Sequence, residues 1–325
     1  MNRPEILTIG RIGIDLYPAQ SNVPIADVET FAKSVGGTAT NVAVGAARLG
    51  RRAALATRVG DDPFGAYALL ALEGFGVDTR FVGIDSDLPT PITFCELNPP
   101  DDPHIIFYRY PKAPDMNLSL VDLDQEVVED VPILWISGST LSDEPSRSTV
   151  KAVLEARARR RHTILDLDWR PTFWRSHEVG RRELGEALSH VTAAVGNREE
   201  CEVAVGIGVP KRAADLLLDR GVELAVVKLG GDGVFFATAG GTRAFVPPFP
   251  VEVVCGLGAG DAFGGALCHA LLAGWRPLRA IRFASAAGAI VASRLLCAPA
   301  MPTLAEVLDL REREGQGPRT HEQSC

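Results

Sequence analysis

Near the end of the sequence, residues 253–265 read Val-Val-Cys-Gly-Leu-Gly-Ala-Gly-Asp-Ala-Phe-Gly-Gly, a short β-like run, a glycine-rich turn and the start of a long apolar helix. The small residues Gly258, Ala259 and Gly260 let backbone N–H groups at the helix start approach an anion without side-chain interference, and the helix dipole favours negative charge there. Asp261 follows in the first helical turn. The same dipole stabilises its carboxylate, which is placed to take a proton from a hydroxyl held against the anion. An anion cradle beside a carboxylate base is the apparatus of phosphoryl transfer to a hydroxyl. Alone, the stretch also reads as a packing turn with an ordinary helix-start aspartate. A dinucleotide fingerprint would open the first βαβ unit and be followed by an acidic ribose ligand, which this late stretch lacks. With no Gly-Lys-Ser/Thr and no His-Arg-Asp in the sequence, a Walker loop and a protein-kinase catalytic loop are excluded.

Such groups need a rigid body to hold them, and the chain is long enough for one large core plus an appendage: 325 residues, 46% apolar and 23% charged. A net charge of −8 without a basic block argues against nucleic acid and anionic membrane as partners and for a small molecule. No apolar run has the length of a membrane span and no signal core is seen, so a cytoplasmic location is expected. The cysteines at 95, 201, 255, 268, 297 and 325 lack metal or disulfide spacing; Cys268 and Cys297 read as small core residues in helical stretches.

Residues 6–10 form an apolar run ending in glycine, as a buried first strand does, and 11–17 alternate so that Asp15 opposes Ile12, Ile14 and Leu16. By pattern Asp15 is equally a solvated strand residue. Gly36 and Gly37 suit a backbone that must approach a ligand, and Asn41 offers a donor and an acceptor to a diol; a turn with a helix cap reads the same. Two β-prone runs at 92–97 and 105–110 flank a proline-rich turn and, with residues 12–35, predict a small sheet outside the main body. Regular βα alternation begins near 131, with a strand at 133–137, a helix at 144–161 and a strand at 163–167. The arginines of 157–161 read as a solvated helix end. Arg170 follows Asp166 and Asp168 at a strand C-terminus, placed either to steady an anionic ligand or to pair with one of those aspartates. A strand at 193–196 runs into Asn197 and Glu200, hard oxygen donors of the kind Mg²⁺ accepts, or simply an acidic first helical turn. Lys228, Gly230 and Gly233 form a turn after a strand at 224–229. Strands at 234–237 and 243–246 and helices at 278–296 and 303–313 complete the chain, and 314–325 is expected to fray.

Two distant stretches, Gly36 to Asn41 with Arg58 to Gly65 and then Gly258 to Asp261, resemble in order the signatures of the ribokinase (PfkB) family of carbohydrate kinases, and the likeness runs from residue 6 to about 312. It implies an α/β ribokinase-like fold, a mostly parallel sheet flanked by helices with a small β-sheet lid. Residues 1–11, 36–88 and 113–313 would form the core, 12–35 and 89–112 the lid, and 314–325 a flexible tail. It further implies ATP and Mg²⁺. Asp15, Gly36, Gly37 and Asn41 would bind sugar, Lys228, Gly230, Gly233 and Asn197 the nucleotide, and Glu200 the metal through water. Asp261 would be the base, with Gly258, Ala259 and Gly260 at the transferring phosphoryl. Phe107-Tyr108-Arg109 resembles a segment of kinases acting on keto-deoxy sugar acids, so Arg109 and Arg170 are expected on an acidic sugar. The implied substrate is 5-dehydro-2-deoxy-D-gluconate, ahead of its isomer 2-keto-3-deoxygluconate. In many members the lid also pairs two subunits, which implies a homodimer. Cys255-Gly256 departs from the usual Asp-Thr and leaves K⁺ activation without its acidic residue. A sugar-binding protein that kept this fold without phosphoryl transfer is the alternative from another class.

Overall fold

A strand apolar on both faces must be covered on both, and that requirement sets the architecture. The computed structural model describes residues 3–20, 23–97, 103–160 and 162–316. Its first strand, β1 (Ile6–Ile9), is wholly buried, with Ile6 in one apolar layer and Leu7 and Ile9 in the other. The chain then leaves the body through β2 (Gly13–Pro18) and β3 (Phe31–Gly36) and returns by α1 (Thr38–Arg48), β4 (Ala53–Gly60), α2 (Pro63–Gly74) and β5 (Val82–Asp85). A second excursion makes β6 (Ile92–Glu96) and β7 (His104–Tyr108). Alternation follows: α3 (Gln125–Asp130), β8 (Ile133–Ser137), α4 (Ser146–Arg157), β9 (Thr163–Asp166), α5 (His177–Ala187), β10 (Ala193–Asn197), α6 (Arg198–Val205), α7 (Pro210–Asp219) and β11 (Leu224–Lys228). A hairpin of β12 (Val234–Thr238) and β13 (Arg243–Val246) precedes the helices α8 (Ala259–Leu272), α9 (Pro277–Ala292) and α10 (Leu304–Gln316).

The strands form a nine-stranded sheet in the order β13-β12-β11-β10-β9-β8-β1-β4-β5, parallel from β11 to β5. One apolar layer joins the sheet to α1, α8 and α9; the other joins it to α4, α5, α6 and α7. Strands β4 and β8 lie on opposite sides of β1, so the order reverses there and a crevice opens beyond the C-terminal ends of β1 and β8. Over that end lies a four-stranded sheet, β3-β2-β6-β7, in which β2 and β6 run parallel and the other pairs antiparallel.

Helices α1 and α8 pack through glycines. A Cβ on Gly265 would stand 2.8 Å from the Ala46 nitrogen and 2.9 Å from the Val42 oxygen, so only glycine permits this approach. The N-terminal turns of the two helices are thereby brought together.

Several expected boundaries change. Residues 253 and 254 are exposed loop, not strand, because α9 rather than another strand lies alongside: the Val254 and Cys255 amides both donate to the Ala292 carbonyl. Helix α4 starts at Ser146 and stops at Arg157, since Ala158 and Arg159 take left-handed conformations. Arg157 is not solvated; it is buried and donates to the Val128 and Glu129 carbonyls and to Thr163 Oγ1, tying α4 to α3 and β9. Helix α9 ends at Ala292, which leaves the buried Cys297 in a loop, and α10 continues to Gln316. The turn at 98–102, Arg161 and residues 317–325 lie outside the described residues. Among the described residues no helix is long and apolar enough to cross a membrane.

Overpacking a helix contact this close costs about 1–3 kcal/mol. Gly265→Ala should lower unfolding stability by that amount in urea titration, and an unchanged midpoint would show that α1 and α8 can separate freely.

Candidate active site

The crevice at the strand ends holds Asp261 and its neighbours. Gly258, in a left-handed conformation at φ 78°, begins α8, and no side chain caps that helix. The first internal bond runs from the Ala262 amide to the Gly258 carbonyl, so the amides of Ala259, Gly260 and Asp261 have no partner among the described residues. Three free donors at a positive dipole end invite an anion. Asn41, in the first turns of α1, donates through Nδ2 to Asp261 Oδ2 at 2.8 Å. Burial pushes the Asp261 carboxyl up to about 6, while the Asn41 hydrogen bond pulls it down. Asn41 thus orients this carboxylate, a contact beyond the diol ligand or helix cap that the sequence offered; its buried Oδ1 has no hydrogen-bond partner among the described residues.

Asp15 lines the same pocket and is buried, not solvated. Burial pushes it up to about 7, against the influence of Arg11 and a hydrogen bond from Tyr17. Gly36 leaves room for it: a Cβ there would stand 1.9 Å from Asp15 Oδ2. Gly37, at φ 106°, lies against the Arg11 carbonyl, 2.3 Å from where its Cβ would be, and begins α1.

The guanidinium groups cluster at the β1, β8 and β9 ends. Arg170 lines the pocket and its Nε pairs with Asp168 Oδ1 at 3.3 Å, the pairing the sequence offered as one of two readings. Arg109 also lines the pocket, but is already engaged by Asp115 through Nη1 at 3.1 Å and Nη2 at 2.5 Å. Asp115 thus fixes the Arg109 guanidinium at the pocket wall. Asp168 has a positive φ of 34°, a conformation costing on the order of 1 kcal/mol or more, and is held by Ser139 Oγ at 2.6 Å, Thr38 Oγ1 at 3.2 Å and Arg11 Nη2 at 2.9 Å. Burial works against its ionisation, but Arg11 and Arg170 outweigh it and hold its carboxyl low.

Beyond α8 a second cavity of about 550 Å³ runs past Lys228, Gly230, Gly233, Pro248, Val253 and Ala289. Its walls are mostly apolar, with the α8 glycines at one end. Gly230 and Gly233 have positive φ, and a Cβ on Gly233 would stand 2.3 Å from the Val246 carbonyl. Lys228 Nζ lies 3.7 Å from Asp166 Oδ1. Burial works to lower the ammonium, yet Asp166, Glu200 and Asp261 outweigh it and keep Lys228 charged. Asn197 and Glu200 form a reciprocal cap on α6: Glu200 N donates to Asn197 Oδ1 at 2.9 Å and Asn197 N to Glu200 Oε2 at 2.7 Å. The acidic helix start that the sequence allowed is thus present, with Glu200 buried near Lys228.

Arg11, Asp168, Asp166 and Asp115 were not singled out as site residues from sequence. For Arg11 a signal existed, a lone charge within an otherwise apolar stretch from Ile6 to Ile14. Two of the aspartates have an arginine close by in sequence, Asp168 with Arg170 and Asp115 with Arg109, whereas the pairing of Asp168 with Arg11, 157 residues away, leaves no local mark.

The sequence profile described as pfkB family carbohydrate kinase matches residues 3–304. A 5-dehydro-2-deoxygluconokinase from Shouchella clausii is 33% identical over 316 residues, covering 95% of this chain and 96% of its own length. Among solved structures, a ribokinase II of Escherichia coli in complex with ATP and Mg²⁺ superposes with a TM-score of 0.85 at 25% identity, covering 95% of this chain and 99% of that one. An uncharacterised sugar kinase of Pyrococcus horikoshii in complex with ATP gives 0.79 at 29% identity, covering 94% and 99%.

Carbon-13 NMR of the side-chain carboxyl should show Asp261 titrating near pH 6. Asn41→Ala removes a donor that favours the ionised form, so the midpoint should rise. A midpoint that stays or falls would show that the 2.8 Å contact does not set the charge of Asp261.

Proposed function

The chain belongs to the pfkB family of carbohydrate kinases, and we propose that it phosphorylates the terminal hydroxyl of 5-dehydro-2-deoxy-D-gluconate, a keto-deoxy acid of myo-inositol catabolism. The observation that carries the transfer is the Asp261 carboxylate, steered by Asn41 and standing beside three amides without a partner among the described residues. Asp261 takes the proton of the attacking hydroxyl, and the Ala259, Gly260 and Asp261 N–H groups stabilise charge gathering on the transferring group. Asp15 holds sugar hydroxyls, with Gly36 and Gly37 permitting the approach. Arg170 and Arg109 face the acidic end.

The residues suit MgATP. The apolar cavity fits a nucleoside, Lys228 and the uncapped α8 start fit its phosphates, and Gly230 and Gly233 give the cavity its turn. Glu200 and buried Asp166, whose Oδ1 pairs with Lys228 but accepts no hydrogen bond among the described residues, are hard oxygens that would hold hydrated Mg²⁺, with Asn197 fixing Glu200. When bound, MgATP supplies the phosphoryl group and neutralises its charge.

Support for the substrate comes from the Shouchella clausii relative and from segments of this chain, Thr93 to Glu96 and Pro111 to Asp115, that resemble that class; Asp101-Asp102, which also does, lies outside the described residues. The isomer 2-keto-3-deoxygluconate differs by a shifted hydroxyl and is the second reading. The smaller sheet, residues 12–35 and 89–112, acts as lid. Its edge strand β7 with exposed Tyr108 suits pairing with a second copy, and the enzyme works in the cytoplasm.

An ADP-release assay with MgATP against both keto-deoxy acids, fructose and ribose should show turnover selective for 5-dehydro-2-deoxygluconate. Asp261→Asn should lower kcat by about 10²–10⁴-fold, and the wild-type rate should climb as pH passes about 6 and Asp261 ionises. Retained sugar binding without any ADP release would instead identify a silent sugar-binding protein.

A further inference from the structure

Arg11 stands at the switch point of the main sheet, directly beyond β1, and is 5% exposed. Its Nε bonds Ser139 Oγ at 3.0 Å and Asp168 Oδ2 at 3.3 Å, and its Nη2 bonds Thr38 Oγ1 at 2.6 Å and Asp168 Oδ1 at 2.9 Å. Two aromatic rings flank its guanidinium: Cζ lies 5.2 Å from the centre of Phe173 and 5.9 Å from that of Phe107 on the lid strand β7. One nitrogen is left over. Among the described residues Nη1 makes no hydrogen bond, and Arg11 lines the sugar pocket. Neither the family's sequence signatures nor the residues expected to meet the sugar include it.

The pairing at this end of the pocket shows what Nη1 lacks. Arg11 and Arg170 share the single carboxylate of Asp168, and Arg109 is matched by Asp115. Asp15 and Asp261 line the same pocket, so what is left over is a donor, not a net positive charge: Nη1 of a guanidinium flanked by Phe107 and Phe173. A carboxylate oxygen would make a charge-assisted hydrogen bond with that donor, stronger than the bond a neutral hydroxyl makes.

We propose that Arg11 is a specificity-determining residue whose Nη1 donates to the acid group of the substrate, with Asp168, Ser139 and Thr38 locking the guanidinium in the receiving orientation. This rests on the reading of the pocket as a sugar-acid site. Arg109, tied up by Asp115, is secondary. Because the fork is held before the ligand arrives, little side-chain entropy is lost on binding, and the donor discriminates more sharply than a mobile surface arginine would.

The test compares KM for the keto-deoxy acid with KM for its primary amide, which has the same shape without the charge. It adds equilibrium binding, by calorimetry without ATP, of D-gluconate against uncharged D-glucitol. Wild type should favour the anion in both. Arg11→Gln should raise the KM of the acid about 10–100-fold, the loss of one hydrogen bond to a charged group, with a much smaller change for the amide and in kcat. Its preference for gluconate should collapse. Arg11→Lys, which keeps the charge and loses the fork, should recover part of the preference and serves if the glutamine variant fails to fold. Equal KM increases for acid and amide would make Arg11 a purely structural partner of Asp168 and overturn the proposal, as would undiminished gluconate preference in Arg11→Gln. Should the wild type turn over neither keto-deoxy acid yet bind gluconate over glucitol through Arg11, the reaction assignment falls and the anion site stands.

Discussion

A charge withdrawn from water must be compensated by another charge or by hydrogen bonds, and this requirement organises the crevice of the protein. Asp168 illustrates it. The carboxylate is buried, its backbone is held at positive φ, and it persists there because Arg11, Arg170, Ser139 and Thr38 all converge on it. Those partners come from the ends of β1, β8 and β9 and from the start of α1. Satisfying one carboxylate therefore fixes the mutual placement of four segments distant in sequence.

Asp261 is compensated less fully, and the difference suits the role of base proposed for it. It has one side-chain donor, Asn41, and its burial lifts the carboxyl to about 6, close to where a base is both ionised near neutrality and able to hold a proton. The glycine contact of α1 on α8 makes that arrangement possible. With a wider helix spacing Asn41 would not reach Asp261, and the free amides of α8 would not face the same pocket as Asp15. The lid contributes in the same currency: Phe107 from β7 closes over the arginines and lowers the local dielectric, which strengthens every charged contact beneath it.

Much of this was legible from residue order. Strand β1 and the hairpin β12 and β13 followed from apolar runs and turn residues, and α8 from its glycine turn. The expectations that failed did so for tertiary reasons. Val253 and Val254 look like a strand because they are β-branched, but the helix α9 lies beside them and offers no sheet edge to pair with. Arg157 looks like a solvated helix end because arginines usually are; here the chain turns over it, and its stem and head meet buried carbonyls.

By itself the sequence determined the local chemistry: a helix start that exposes unpaired amides, a carboxylate in its first turn, glycines where a backbone must pass close, and an apolar run suited to burial on both faces. Those features depend on neighbours within a few residues, and composition encodes them directly. Only the tertiary structure decided which charges would meet. That Arg11 would share Asp168 with Arg170, that Asn41 would steer Asp261, and that Arg11, lining the pocket, would keep one nitrogen without a partner among the described residues depend on contacts between residues up to 220 positions apart. Those distances close only when the sheet and its helices pack, because long-range electrostatic partners carry no pattern along the chain.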